Sequence, residues 1–159
     1  MAIVTVSTRA AGGVYDDRSG ELLDAQMRAA GHKVARREVV PDGAERLTKL
    51  LCDIADSGGV DLIVTSGGTG ISPTDRTPEA TAATCERLTP GIAEAIRAAS
   101  LATTPHAMLS RGVAGVRGRT LIVNLPGSPG GARDGWATIA PVVEHAVSQL
   151  GGGDHPRTE

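Results

Sequence analysis

Apolar positions along the chain alternate between two spacings, short β-branched runs and longer stripes at helical intervals, so the pattern predicts strands and helices in turn. Ala2 to Thr8 mixes small and β-branched residues and predicts a first strand; a Gly12-Gly13 loop follows, and a helix starts near Ser19. Leu23, Met27 and Ala30 share one face of that helix, with Gly31 placed to cap its carboxyl end. His32 to Val40 predicts a second strand, ended by Pro41. Leu47, Leu50, Leu51 and Ile54 then draw the apolar stripe of a helix that covers a sheet, and Gly58-Gly59 stops it. Asp61 to Ser66 is short and β-branched, which suits a parallel strand buried on both faces.

Further helices are predicted from about Pro78 and from about Gly91, the latter with Ile92, Ala95, Ile96 and Ala99 in register. After the break at Thr103-Thr104-Pro105, the runs Gly112 to Val116 and Thr120 to Leu125 flank Arg117-Gly118-Arg119 as a hairpin would, implying one antiparallel edge strand. Trp136, Ile139, Val143, Val147 and Leu150 mark a last helix, which Pro141 must either kink or restart. This alternation predicts an α/β fold, a three-layer αβα sandwich on a mostly parallel sheet. One domain is expected over residues 1–150, with Gly151 to Glu159 as a disordered tail.

Composition narrows the function. The chain has 159 residues, 40% of them hydrophobic, yet no Phe and only 1% aromatics, so its core must be built from Val, Ile, Leu and Ala. Sixteen basic against 18 acidic residues, with no basic tract, argue against a nucleic-acid partner. The sequence has no secretory-type amino terminus and no run of about 18 apolar residues to span a bilayer, so a cytoplasmic protein is expected. Cys52 and Cys85 fall in segments read as helical, without Cys or His at metal-ligand spacing, and are expected to be buried, inert thiols. His32, His106, His145 and His155 are scattered, which offers no histidine triad or zinc site.

The candidate chemistry centres on Gly67-Gly68-Thr69-Gly70, at the carboxyl end of the third predicted strand, where open α/β sheets bind ligands. Glycine backbones there can approach phosphate closely. No Lys follows as a P-loop requires, and Pro73 stands where the dinucleotide fingerprint needs its third glycine, so neither common nucleotide motif fits. Asp75 could hold Mg2+ beside such a loop, or it could complement the dipole of a helix that Thr77 caps and Pro78 opens. Asp42-Gly43-Ala44-Glu45 matches a capping box, Ser19 an ordinary helix cap, and Ser128-Pro129 a cap followed by a first-turn proline that could cradle an anion. Ser110-Arg111 could offer a hydroxyl and a cation to a ligand, or be a surface pair beside the hairpin.

Taken together, Gly67-Gly68-Thr69-Gly70, four residues, Asp75, one residue and Thr77-Pro78-Glu79-Ala80 resemble the signature of the molybdopterin adenylyltransferase family, the MogA/MoaB-like proteins that also supply a domain of gephyrin. Asp17-Arg18-Ser19-Gly20, Val40-Pro41-Asp42, Leu109-Ser110-Arg111 and Asn124-Leu125-Pro126-Gly127-Ser128 extend the likeness over most of the chain, with Gly130-Gly131 where some relatives carry a lysine or an alkyl residue. The resemblance implies the same sandwich fold and Mg-ATP-dependent adenylylation of molybdopterin. It implies Asp75 and Asp42 as catalytic and metal-binding carboxylates, and a ligand-binding set of Ser7, Asp17, Ser19, Gly20, Gly67, Gly68, Thr69, Gly70, Ser110, Asn124, Pro126, Gly127 and Ser128. It also implies a homotrimer and an exchange of product with a molybdenum-insertion enzyme. A binding paralogue of MoaB type with little catalysis, or an interaction scaffold, would carry the same motifs.

Overall fold

The computed structural model describes residues 1–153. Thirteen elements follow one another: β1 (Ala2–Val6), α1 (Thr8–Ala11), α2 (Arg18–Ala29), β2 (Arg36–Val40), α3 (Ala44–Asp56), β3 (Leu62–Ser66), α4 (Thr77–Thr84), β4 (Arg87–Leu88), α5 (Pro90–Leu101), a 3-10 turn (Pro105–Leu109), β5 (Ala114–Arg117), β6 (Thr120–Leu125) and α6 (Pro129–Leu150). The strands form one six-stranded sheet in the order β2-β1-β3-β6-β5-β4. β2, β1, β3 and β6 run parallel, whereas β5 is antiparallel to both β6 and β4.

Side-chain alternation divides the interior into two layers. Ile3, Leu62, Val64, Leu121 and Val123 point toward α2, α5 and α6, where they meet Leu23, Met27, Ile96, Trp136 and Ile139. Their neighbours Ala2, Val4, Val6, Ile63 and Ile122 point the other way, onto Leu47, Leu51 and Ile54 of α3 and Ala80 of α4. Because both faces of the central strands are covered, these strands carry unbroken apolar runs. Full burial of each such Leu or Ile side chain is worth about 1.5–3 kcal/mol relative to exposure.

The predicted architecture is present, with differences at element ends. The first strand stops at Val6, because the Ser7 hydroxyl accepts a hydrogen bond from the Ala10 amide (3.2 Å) and starts α1. The second strand begins only at Arg36, after His32 to Ala35 have crossed from α2 to the sheet. β4, two residues long and outside β5, is too short for a period-2 pattern to show. The last helix is neither split nor restarted: α6 runs through Pro141, which removes its own N–H from the helical ladder. Gly151 to Gly153 turn back onto it, the Gly153 amide bonding Ser148 O at 2.9 Å, and the rest of the expected tail, 154–159, lies outside the described residues.

Cys52 lies in α3 as expected, but Cys85 follows the end of α4 in extended backbone. Both are partly buried. Burial pushes the Cys85 thiol up to about 11, against the smaller opposing pull of Arg117. Since the thiolate is the nucleophile, the alkylation rate of Cys85 in a Cys52→Ser protein should climb about tenfold per pH unit from 7.5 to 9.5 without levelling. A plateau at the ordinary cysteine pKa, read by mass spectrometry of iodoacetamide-treated protein, would contradict this burial effect.

Candidate functional site

Parallel strands set all their carboxyl ends on one edge of the sheet, and the loops leaving β1, β3 and β6 gather there. The loops of β3 and β6 are laced together: Gly67 N donates to Leu125 O (3.1 Å) and Ser66 Oγ to Pro126 O (3.0 Å). Gly67 and Gly68 take φ of +105° and +63°, open to glycine but strained for other residues. Space excludes a side chain as well, because a Cβ on Gly67 would strike Val6 O and one on Gly68 would strike Thr77 Oγ1. Thr77 holds the loop from beneath, its hydroxyl donating to Gly67 O (2.8 Å) and its amide to Gly68 O (3.1 Å). It was expected to cap α4, but Arg76 occupies the cap position.

Two hollows flank this loop. The larger, of about 650 Å³, receives Gly67 and Gly68 together with Ser7, Asp17, Ser19, Asp42, Asp75 and Gly127. The smaller, of about 410 Å³ and mainly apolar, receives Thr69 and Gly70 together with Ser110, Pro126 and Ser128. The glycine loop is thus a partition with one half facing each side. Gly67 spends its amide on Leu125, whereas the amides of Gly68, Thr69 and Gly70 have no protein acceptor among the described residues. Such free N–H groups suit an anion.

Asp42 does not form the expected capping box. Gly43 is the cap residue of α3, without a side-chain bond, and Asp42 Oδ2 instead accepts from the amide (2.9 Å) and hydroxyl (2.7 Å) of Thr8, at the start of α1. Asp75 Oδ2 accepts from Ser72 N (2.9 Å), while its own amide donates to Ser72 O (2.9 Å). Among the described residues the bonds that orient both carboxylates fall on Oδ2, which leaves Oδ1 of each for a ligand. Among the same residues, no group of three or more His, Cys, Asp or Glu could enclose a metal ion. The chemistry of Asp42 and Asp75, two carboxylates on one hollow each with an unengaged oxygen, fits a hydrated cation such as Mg2+, which keeps several waters and takes one or two carboxylates plus substrate phosphates.

Asp17, rather than Ser19, caps α2. It accepts from Gly20 N (2.8 Å), from the Thr5 hydroxyl (3.0 Å) and from Arg37 (3.3 Å), and Ser19 Oγ reaches it at 3.4 Å. These ties hold Asp17 in the wall of the larger hollow. Gly20 lines neither hollow; a Cβ there would overlap the Asp17 carboxylate. Asn124 lines neither as well. Its amide donates to Thr65 Oγ1 (2.9 Å) and Thr81 Oγ1 (2.8 Å), its oxygen accepts from Val113 N (3.1 Å), and its side chain is buried. Ser128 caps α6, accepting from Gly131 N at 3.1 Å, as its Ser-Pro sequence suggests.

Several residues at the hollows escaped the sequence reading. Arg9, Tyr15 and Arg18 line the larger one, with Arg9 stacked over the Tyr15 ring at 4.9 Å and the Tyr15 hydroxyl 2.7 Å from Ser7 Oγ. A usable signal existed: Tyr15 is the single tyrosine of a chain without Phe, and unlike Trp136 it is 45% exposed. His106 and Arg133 line the smaller hollow, brought there by the 3-10 turn and by α6. Arg111 lines neither, and its guanidinium turns to the glycine loop itself and to Glu79, whose carboxyl it holds below its ordinary range.

Comparison with known proteins identifies the family. Residues 2–145 match the family model described as a probable molybdopterin binding domain. The molybdopterin adenylyltransferase of Helicobacter pylori strain J99 is 36% identical over 152 residues, covering 94% of this chain and 86% of that protein. The molybdopterin biosynthesis enzyme MoaB of Thermus thermophilus superimposes with a TM-score of 0.89 at 48% identity, covering 95% of each chain. The molybdopterin biosynthesis Mog protein of Mycobacterium ulcerans does so with a TM-score of 0.88 at 52% identity, covering 94% of this chain and 97% of that one. With its fold and these matches in accord, the chain belongs to the probable molybdopterin binding domain family of molybdenum cofactor biosynthesis.

Proposed function

We propose that this chain is a molybdopterin adenylyltransferase, acting in the cytoplasm on molybdopterin and Mg-ATP. The observation that carries this reading is the partition: one glycine loop borders both hollows, and the larger hollow holds Asp42 and Asp75, each with its Oδ1 unengaged among the described residues. A reaction that joins two phosphorylated substrates needs such a shared wall.

In the proposed step an oxygen of the molybdopterin phosphate attacks the α-phosphorus of ATP. A new P–O bond forms as the bond to the β-phosphate bridging oxygen breaks, and that electron pair leaves with pyrophosphate. A phosphate monoester has its second pKa near about 6, so the nucleophile is largely ionised at neutral pH and no side chain has to remove a proton. The residues' work is then electrostatic and positional. The amides of Gly68, Thr69 and Gly70 would bind phosphate oxygens, and Arg9 and Arg18 would add positive charge on the larger hollow's rim. Ser110 and Ser128 would offer hydroxyls to the ligand in the smaller hollow. A magnesium ion held by Asp42 and Asp75, directly or through water, would supply the charge that lets two polyanions share the site.

Asp75→Asn keeps an acceptor for the Ser72 amide but removes the charge, so the melting curve should be unchanged while adenylyl transfer falls by roughly 100-fold or more. Pyrophosphate release from molybdopterin and Mg-ATP measures this, and wild-type turnover in the variant would sink the mechanism. The same assay on the unaltered protein separates an enzyme from a binding paralogue or scaffold, since neither of the latter releases pyrophosphate. Asp42→Asn should likewise keep its bonds to Thr8 and lose most of the rate; a variant that unfolds would mean that the carboxylate is there for α1 instead. Finally, a homotrimer is proposed on the family resemblance. Light scattering should return three times the monomer mass, and a monomer in solution would refute it.

A further inference from the structure

Arg111 is the most heavily engaged cation near the site, yet it lines neither hollow. Its Nε donates to Gly70 O (2.7 Å), one Nη to Asp75 O (2.7 Å), and the other Nη is ion-paired with Glu79 of α4. Its backbone amide donates to Thr69 O (2.8 Å), so main chain and side chain grip the same loop.

The two carbonyls it binds stand at the two ends of the turn Gly70 to Asp75. Within that turn the bonds are local: Ser72 N to Asp75 Oδ2, Asp75 N to Ser72 O, and the Ser72 and Thr74 hydroxyls at 3.2 Å. Ile71, the second residue of the turn, is 68% exposed and so has little packing to hold it. Among the described residues, no other hydrogen bond between the turn and the rest of the fold replaces those of the guanidinium. Only a planar group with several fixed N–H donors can meet both carbonyls and the Glu79 carboxylate together; a lysine ammonium has the charge but not the span.

We propose that Arg111 is a positioning residue that staples the turn shut across Gly70 and Asp75, and thereby fixes where the Asp75 carboxylate stands over the larger hollow. The catalytic consequence rests on the adenylylation reading; the mechanical one does not. Glu79 completes the device by holding the guanidinium in the plane that reaches both carbonyls. Ser110, the preceding residue, lines the smaller hollow, so this dipeptide serves a ligand on one side and the loop on the other.

Hydrogen–deuterium exchange of the 70–76 peptide and steady-state adenylyl transfer should be measured on wild-type protein, Arg111→Lys, Arg111→Ala and Glu79→Gln. In the lysine variant the peptide should exchange faster while the 62–66 strand keeps its protection. Its kcat should fall by roughly 10- to 100-fold, the cost of a misplaced catalytic group, with KM for molybdopterin nearly unchanged. Glu79→Gln should show the same pattern more weakly. Wild-type exchange and wild-type kcat in Arg111→Lys would overturn the proposal, as would a loss confined to KM. If Arg111→Ala unfolds, the lysine and glutamine variants still decide. If wild-type protein releases no pyrophosphate, the adenylylation reading fails, and the exchange data alone then support or refute the staple.

Discussion

The loops that leave β3 and β6 lie so close that a Cβ on Gly127 would sit 3.0 Å from the Gly67 Cα, while Gly67 in turn is pressed against Val6 O. This backbone contact organises the whole edge of the sheet. It lets Gly67 bond Leu125 O and Ser66 bond Pro126 O, and so fixes the relative height of the two loops. Beyond it, Gly68, Thr69 and Gly70 form a ridge between the hollows in which Thr69 is itself buried. The two hollows are the spaces on either side of that ridge. A side chain at Gly67 would strike Val6 O and one at Gly127 would press on Gly67, so either would displace the loop that separates the hollows.

The strands deliver this contact because they are parallel and in register. Thr65 stands beside Asn124 and Ser66 beside Leu125, so β3 and β6 end level. Asn124 enforces that level from inside: its amide joins Thr65 of β3 and Thr81 of α4, and its oxygen takes the Val113 amide ahead of β5. A buried amide with all these partners met is a specific lock, since any shift in register would strand polar groups away from water. A residue that the family resemblance assigns to ligand binding thus has a clear structural task beneath the hollows.

Much of the fold was legible in the chain because burial on two faces leaves a simple trace. The apolar runs of β1, β3 and β6, the stripe Leu47-Leu50-Leu51-Ile54 and the glycine stops each follow from local spacing. β4 was not legible, as two residues carry no period. The glycine loop and both carboxylates were also found from sequence, and they do share one edge of the sheet. What local spacing could not convey was the partner of each polar side chain. Asp42 looks like the cap of the helix that follows it, but it binds Thr8, 34 residues back. Thr77 looks like a cap as well, yet it supports Gly67, and Asp17 takes the capping role that Ser19 seemed to hold. Tyr15, Arg9 and Arg133 reach the site only through turns and a helix whose directions depend on the finished fold.

The dividing ridge is a single stretch of main chain tied from behind, by Thr77 at Gly67 O and Gly68 O and by Arg111 at Thr69 O and Gly70 O. With those carbonyls engaged by the fold, the amides of Gly68, Thr69 and Gly70 are the groups left without a protein acceptor among the described residues. One short run of peptides thus carries both the anchors to the fold and the groups presented to the two hollows.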